Sequence, residues 1–100
     1  MIYEVKINIR AKKGIERVID YIEQELYNPI AAERFARGIY AKIDQLKFNA
    51  GIFAISTYKD VLKYNPAARH VTYRGFVIIY SIHGSLVVVH RVIHGSLIKE

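Results

Sequence analysis

The sequence contains no cysteine and no tryptophan, and only two prolines and one methionine. Without cysteine there is no disulfide, no thiol nucleophile and no thiolate zinc site. Long hydrophobic runs are missing too. The longest is Phe76 to Tyr80, far short of the roughly 20 residues that a membrane-spanning helix needs. Met1 leads directly into the alternating Ile2, Tyr3, Glu4, Val5, Lys6 and Ile7, the pattern of a strand rather than of a signal peptide. A cytoplasmic protein without membrane attachment is expected. Acidic residues are absent between Asp60 and Glu100, so the C-terminal part has no carboxylate pair for hydrolysis. No phosphate loop and no nucleophile elbow occurs, and no cofactor is expected.

The missing acids shape the charge. The formal net charge is +6, yet the first sixty residues are nearly balanced, with ten Lys/Arg against eight Asp/Glu. The excess belongs to the part that holds Lys63, Arg69, Arg74, Arg91 and Lys99, together with His70, His83, His90 and His94. Such a surface favours polyanions or an acidic protein partner; the plainer reading is net charge for solubility.

One hundred residues make one domain, 1–100. Residues 2 to 9 alternate as a half-buried strand. Residues 12 to 27 place Ile15, Val18, Ile19, Ile22 and Leu26 three or four apart, a helix with one apolar stripe. Asn28-Pro29 stops it and starts a second helix that runs to about Phe48. Asn28 is positioned to cap, and Pro29 suits the first helical position. So short a link folds the helices into an antiparallel hairpin. Residues 52 to 68 read as a loop. Arg69 to Arg74, Phe76 to Ile82 and Leu86 to Ile93 read as strands, with Gly84 first in a two-residue turn. Helices grouped apart from strands predict an α+β fold, in which an N-terminal strand and a two-helix hairpin pack on a twisted antiparallel sheet.

The last hairpin is apolar on both faces. Phe76, Ile78, Tyr80 and Ile82 point one way, while Val77, Ile79 and Ser81 point the other. Two helices cover one face only. The second face, expected to carry Val77, Ile79 and Val92, is either a partner site or is covered by residues 52 to 66 of the same chain. A two-residue turn also predicts that Ile79 faces His90 and Ile78 faces Arg91. His90, Val92 and His94 then share one face, and Arg91 lies on the other with Tyr80.

His90 and His94 on one strand face would stand about 13 Å apart at ~3.3 Å per residue, too far for one metal, and no metal site is expected. Metal-free RNA cleavage needs a base, an acid and cations around the phosphate; the candidates are His90, His94 and Arg74. Arg91 is expected to be mostly buried and bonded to Tyr80 or to a carbonyl, a structural role for both residues. Arg69 and Arg74 are expected to be exposed.

The segment Asn28-Pro29-Ile30-Ala31-Ala32-Glu33-Arg34-Phe35, continuing through Ile39, Ile43 and Leu46, resembles the second helix of RelE/ParE toxins. The run Tyr73-Arg74-Gly75-Phe76-Val77-Ile78-Ile79-Tyr80 and the ending His90-Arg91-Val92-Ile93-His94-Gly95 are similar to that family's closing strands, the ParE branch above all. The resemblance implies the fold just described and a cognate antitoxin whose extended tail wraps the toxin. On that expectation Arg69, Arg74, Val77, Ile79, Val92 and His94 form the partner surface. RelE-like members cleave mRNA on the ribosome, but Val77 stands where they place an arginine, and Gly95-Ser96 stands where related members end in His-Tyr. ParE-like members poison DNA gyrase by binding. His94-Gly95 matches their ending, although Leu97 replaces an arginine usual there. The resemblance therefore implies a gyrase inhibitor held silent by an antitoxin. The alternatives are a ribosome-dependent endoribonuclease with an altered residue set and a degenerate toxin that acts only as a binding module. A homodimer is a further option for the apolar face.

Overall fold

Asn8 decides where the first strand ends. Its side-chain oxygen accepts from the Ala11 N–H at 2.9 Å, satisfying a donor that the start of a helix would otherwise leave bare. In the computed structural model, which describes residues 2–99, strand β1 (Glu4–Ile7) therefore gives way at once to helix α1 (Ile9–Asp20). The alternation predicted a strand to residue 9 and a helix from 12; the cap overrides it, and Ile9 is left exposed. A π-helical turn, Tyr21–Glu25, ends the first arm of the hairpin. Asn28 then caps helix α2 (Pro29–Asp44) through the Ala31 N–H at 3.0 Å, with Pro29 at its first position, as expected. A short helix α3 (Leu46–Asn49) completes the second arm.

The segment expected as a loop contains one turn of helix, α4 (Lys59–Leu62). Strands β2 (Arg69–Tyr73), β3 (Phe76–His83) and β4 (Leu86–His94) follow. The β2–β3 connection is the two residues Arg74 and Gly75, at φ 47° and 83°, the left-handed pair of a type I′ turn. Gly84, at φ 62°, opens the two-residue β3–β4 turn as read from the sequence.

The four strands form one sheet in the order β1-β4-β3-β2. Its last three strands are antiparallel, but β1 pairs parallel to β4, from Glu4 opposite Leu86 to Ile7 opposite Val89. The sheet is thus mixed. Because β1 stops at Ile7, the far half of β4 has no strand on that side, and α1 lies along it instead. A Cβ on Gly14 would sit 2.8 Å from the Val92 carbonyl oxygen, so only glycine permits this approach.

Each face of the sheet has its own core. The helix side gathers Ala11, Ile15, Phe35, Ile39, Ile43 and Leu46 against Val71, Ile78, Tyr80, Val87, Val89 and Val92. The far side packs Val77 and Ile79 beneath Val61 and Ala68, with Tyr58, Tyr64, Ile93 and Ile98 around them. Val77 and Ile79 are therefore covered by their own chain, and Val92 lies in the other core. Of the two alternatives for the second face, self-covering is the one found, and Val77, Ile79 and Val92 form no open groove for a partner. The Lys99 N–H donates to the Asp60 carboxylate at 2.9 Å and ties the chain end to α4.

Tyr80 is fully buried, and its hydroxyl donates to the Ala50 carbonyl at 2.7 Å. Burial pushes its pKa up to about 12. Tyr80→Phe should cost about 1–3 kcal/mol, because it leaves that buried carbonyl without a donor. Gly14→Ala should also destabilise the fold, although alanine is the better helix former by ~1 kcal/mol, since the new methyl meets a backbone carbonyl that cannot retreat. Urea unfolding of both variants checks these outcomes.

Candidate functional site

β4 carries His90, Arg91, Val92 and His94, four of the side chains singled out in the sequence, and one irregularity decides where they point. From His83 opposite Leu86 to Tyr80 opposite Val89 the register is that of the two-residue turn. Beyond it, Ile79 pairs with Arg91 and Ile78 with Val92. His90 is the extra residue of a β-bulge, which shifts the register by one. The expected pairings of Ile79 with His90 and of Ile78 with Arg91 are therefore wrong, and so are the faces derived from them. His90 and Arg91 both turn to the far side of the sheet, Val92 enters the helix-side core opposite Ile78, and His94 comes to the helix side.

There the His94 ring meets Phe76 edge-on at 5.3 Å. Its Nδ1 accepts from the Ser96 N–H at 3.1 Å. Arg74, exposed in the β2–β3 turn, lays its guanidinium over the Tyr73 ring at 5.7 Å. His94 and Arg74 thus flank the same end of the sheet, at Gly75. His90 lies on the opposite face and is engaged elsewhere: the Ser81 hydroxyl stands 2.7 Å from Nε2 of His90 and 2.7 Å from Nε2 of His83. A hydroxyl has one proton, so it donates to one ring and accepts from the other when both are neutral. Ser81 is fully buried, and no carboxylate orients either ring, so the cluster is no nucleophile–base device. The three residues proposed for RNA cleavage are not brought together. Among the described residues, no group of three or more His, Cys, Asp or Glu side chains could hold a metal ion.

Two arginines depart from expectation. Arg69 is half-buried, not exposed, and its guanidinium donates to the Phe53 carbonyl. With the Ile55–Arg69 bridge and the Ser56 N–H donating to Ala68 O at 2.8 Å, this fastens residues 53–56 along the outer edge of β2. Arg91 bonds neither Tyr80, whose hydroxyl is committed to Ala50, nor a carbonyl; it stacks over the Tyr64 ring at 5.3 Å and is half-exposed. The bulge, which moved it off the Tyr80 face, is the reason. Sequence reasoning missed Ser81 and His83, although both lie on the strand face that the alternation of β3 assigned to Val77 and Ile79.

Two of the exposed surfaces combine apolar side chains with room for a protein partner. β1 is an edge strand, and a groove of about 530 Å³ runs along it, lined by Val5, Lys6, Ile7, Asn8, Lys12 and Val88. The tip of the helical hairpin exposes Tyr21, Leu26, Tyr27 and Ile30, with Tyr27 87% exposed at φ 51°.

Burial, with the nearby His83, lowers the His90 pKa below its usual value, and burial lowers that of His70. The Nδ1 of His70 is buried without a partner. In the unfolded chain both rings titrate near 6.5. As the pH falls through that value the unfolded chain takes up protons that the native state refuses, so stability present in full above it declines toward the lower native pKa values. The melting temperature should fall between about pH 7.5 and pH 5.5, and less steeply in His90→Gln and His70→Gln. Arg91→Ala should cost only about 0.5–1 kcal/mol, the worth of a partly exposed cation–π contact, where a buried charged pair would cost several; thermal melts of these variants check both.

The sequence matches the family model described as the ParE toxin of the type II toxin–antitoxin system parDE, over residues 5–98. No curated protein matches it. Among solved structures, the fold is similar to a chain of the chromosomal ParDE TA system from P. aeruginosa, with a TM-score of 0.77 and 17% sequence identity, covering 93% of this chain and 96% of that one. At that identity the likeness speaks for the fold, which is the α+β arrangement expected from the sequence; the family rests on the match that spans β1 through the turn after β4. The chain belongs to the ParE toxin family of type II toxin–antitoxin systems.

Proposed function

We propose that this toxin inhibits DNA gyrase by protein–protein contact and is neutralised by a cognate antitoxin. The observation that carries this reading is the separation of His90 from His94 and Arg74 by the thickness of the sheet. A ribonuclease that works without metal needs its base, acid and cations around one phosphate, and the bulge points the best candidates to opposite sides. A toxin that acts by binding needs only surface. The hairpin tip offers Tyr21, Leu26, Tyr27 and Ile30, an exposed apolar patch of the kind that marks protein contacts, and it serves as the gyrase-facing element. The edge of β1 serves the antitoxin. An extended segment adds a strand there, and its apolar side chains enter the groove between Lys6 and Lys12, which favour acidic neighbours. This places the antitoxin along a different surface from the one expected over Val77 and Ile79. The site of action is the cytoplasm.

The test is a supercoiling assay with purified protein and gyrase. The parent should inhibit supercoiling and accumulate cleaved DNA, while Tyr27→Ser with Ile30→Ser should melt like the parent and lose at least tenfold in inhibition, the loss of a few buried apolar contacts. No inhibition at large excess overturns the proposal. Transcripts cut on translating ribosomes, with cutting abolished in His94→Ala, would establish the endoribonuclease instead. Normal growth on strong expression without an antitoxin would leave a binding module.

A further inference from the structure

A hollow of about 270 Å³ lies between α1 and the half of β4 that has no strand beside it. Arg10, Lys13, Arg17 and Arg91 line it. Three of these residues repeat at helical spacing on α1, and the fourth is delivered from β4 by the bulge. The two ion pairs found among the described residues, Arg37–Glu33 and Lys47–Asp44, involve none of the four. The hollow therefore gathers four like charges with no carboxylate among its lining residues, an arrangement that repels itself when empty and is relieved by an anion.

Two features sharpen this. The first turn of α1 contains no acidic residue, and Arg10 and Lys12 stand there instead. Cations at a helix start oppose the helix dipole and weaken the helix, so the fold carries them at a cost. Arg91 is held with its guanidinium over Tyr64, which restrains the planar fork and leaves its edge free for oxygen atoms. The lining has no apolar side chain. An acidic peptide gains much of its affinity from apolar anchors or from a free sheet edge; the hollow has no apolar lining residue, and the β4 edge beside it is taken up by α1, whose Gly14 stands at the Val92 carbonyl. Phosphate oxygens need only charge and forked donors, and three of the four residues are arginines.

We infer that the hollow between α1 and β4 binds the phosphodiester backbone of nucleic acid, held by Arg10, Lys13, Arg17 and Arg91. Binding is electrostatic and indifferent to base sequence, since nothing in the lining reads base edges. The hollow lies apart from the β1 groove assigned to the antitoxin, and nothing in the inference depends on gyrase being the target.

The experiment measures anisotropy of a short labelled DNA duplex, and of a labelled single-stranded RNA, against the purified toxin over a salt series. Binding should weaken with salt at a slope of about 0.9 per phosphate neutralised on duplex DNA. Arg10→Ser with Arg17→Ser should weaken binding on the order of tenfold and reduce that slope by about two. Arg91→Lys, which keeps the charge and the fold but removes the fork, should weaken binding and leave the slope unchanged. Arg34→Ser with Arg37→Ser, the same loss of charge on the outer face of α2, should leave binding nearly at the parent level. Circular dichroism melts confirm that each variant is folded. The inference is overturned if the α1 pair binds like the parent, or if the α2 pair loses as much. It is also overturned if a glutamate-rich peptide of equal charge displaces the oligonucleotide at equal concentration, which would make the hollow a site for acidic protein.

Discussion

The bulge at His90 is the constraint on which the arrangement of this molecule turns. β4 is an interior strand, flanked by β1 and β3, and it is apolar on both faces. Had the register of the β3–β4 turn continued unbroken, Arg91 would stand opposite Ile78 on the side where Ile15 and Ile39 pack, and Val92 would face away from it. Placing an unpaired guanidinium in that core costs several kcal/mol. One additional residue reverses the parity. Val92 then fills the core beside Ile78, and its carbonyl lies where Gly14 allows α1 to approach. The packing of α1 along β4 and the outward position of Arg91 have the same cause.

A sheet apolar on both sides requires two covers, and the chain supplies them with unequal means. The helical hairpin buries a broad stripe, whereas the far side is closed by one helical turn, two tyrosines and the chain end. What makes the thin cover hold is its attachment at both borders. Tyr80 reaches through the helix-side core to the carbonyl of Ala50, and Arg69 reaches across the β2 edge to that of Phe53. These two side chains neighbour each other across the β2–β3 pair, and they fix the path by which the chain leaves the helices and crosses to the other face. At the far border Asp60 holds Lys99. The polar contacts thus lie where the chain changes sides, and the apolar contacts lie between them.

How much of this was legible in the sequence follows from the range of the interactions. Asn28-Pro29, the stripe from Phe35 to Leu46 and the Gly84 turn are local signals, and each names its own structure. Asn8 is local too, but the alternation before it runs on into Ile9 and hides the cap. The bulge leaves no such mark. In Val87-Val88-Val89-His90-Arg91-Val92-Ile93 either unbroken parity places mostly apolar residues inward together with one of His90 and Arg91, and the packing of α1 and α2 against the finished strand selects the bulged path that turns both away. Parallel pairing of β1 with β4 is likewise invisible, since the partners are about eighty positions apart. The candidate site suffered most, because its faces were derived from an unbroken register. The stripe Arg10, Lys13 and Arg17 was present in the helical spacing, yet nothing in the sequence tied it to Arg91.

The pairing of β1 with β4 also governs the order in which the molecule can be made. β1 is the first strand to leave the ribosome, and its only neighbour in the sheet is the last. The helical hairpin closes through contacts near in sequence and forms early, whereas the sheet must wait for β4, the strand that brings Val87, Val89 and Val92 to the helix-side core. Until Leu86 to His94 has emerged, β1 has no strand to pair with. At that stage a nascent chain carries the helical hairpin with β1 loose before it and the β2–β3 hairpin behind it, open to any holder that recognises an unpaired strand, and the surfaces built on β4 form only once β4 has emerged.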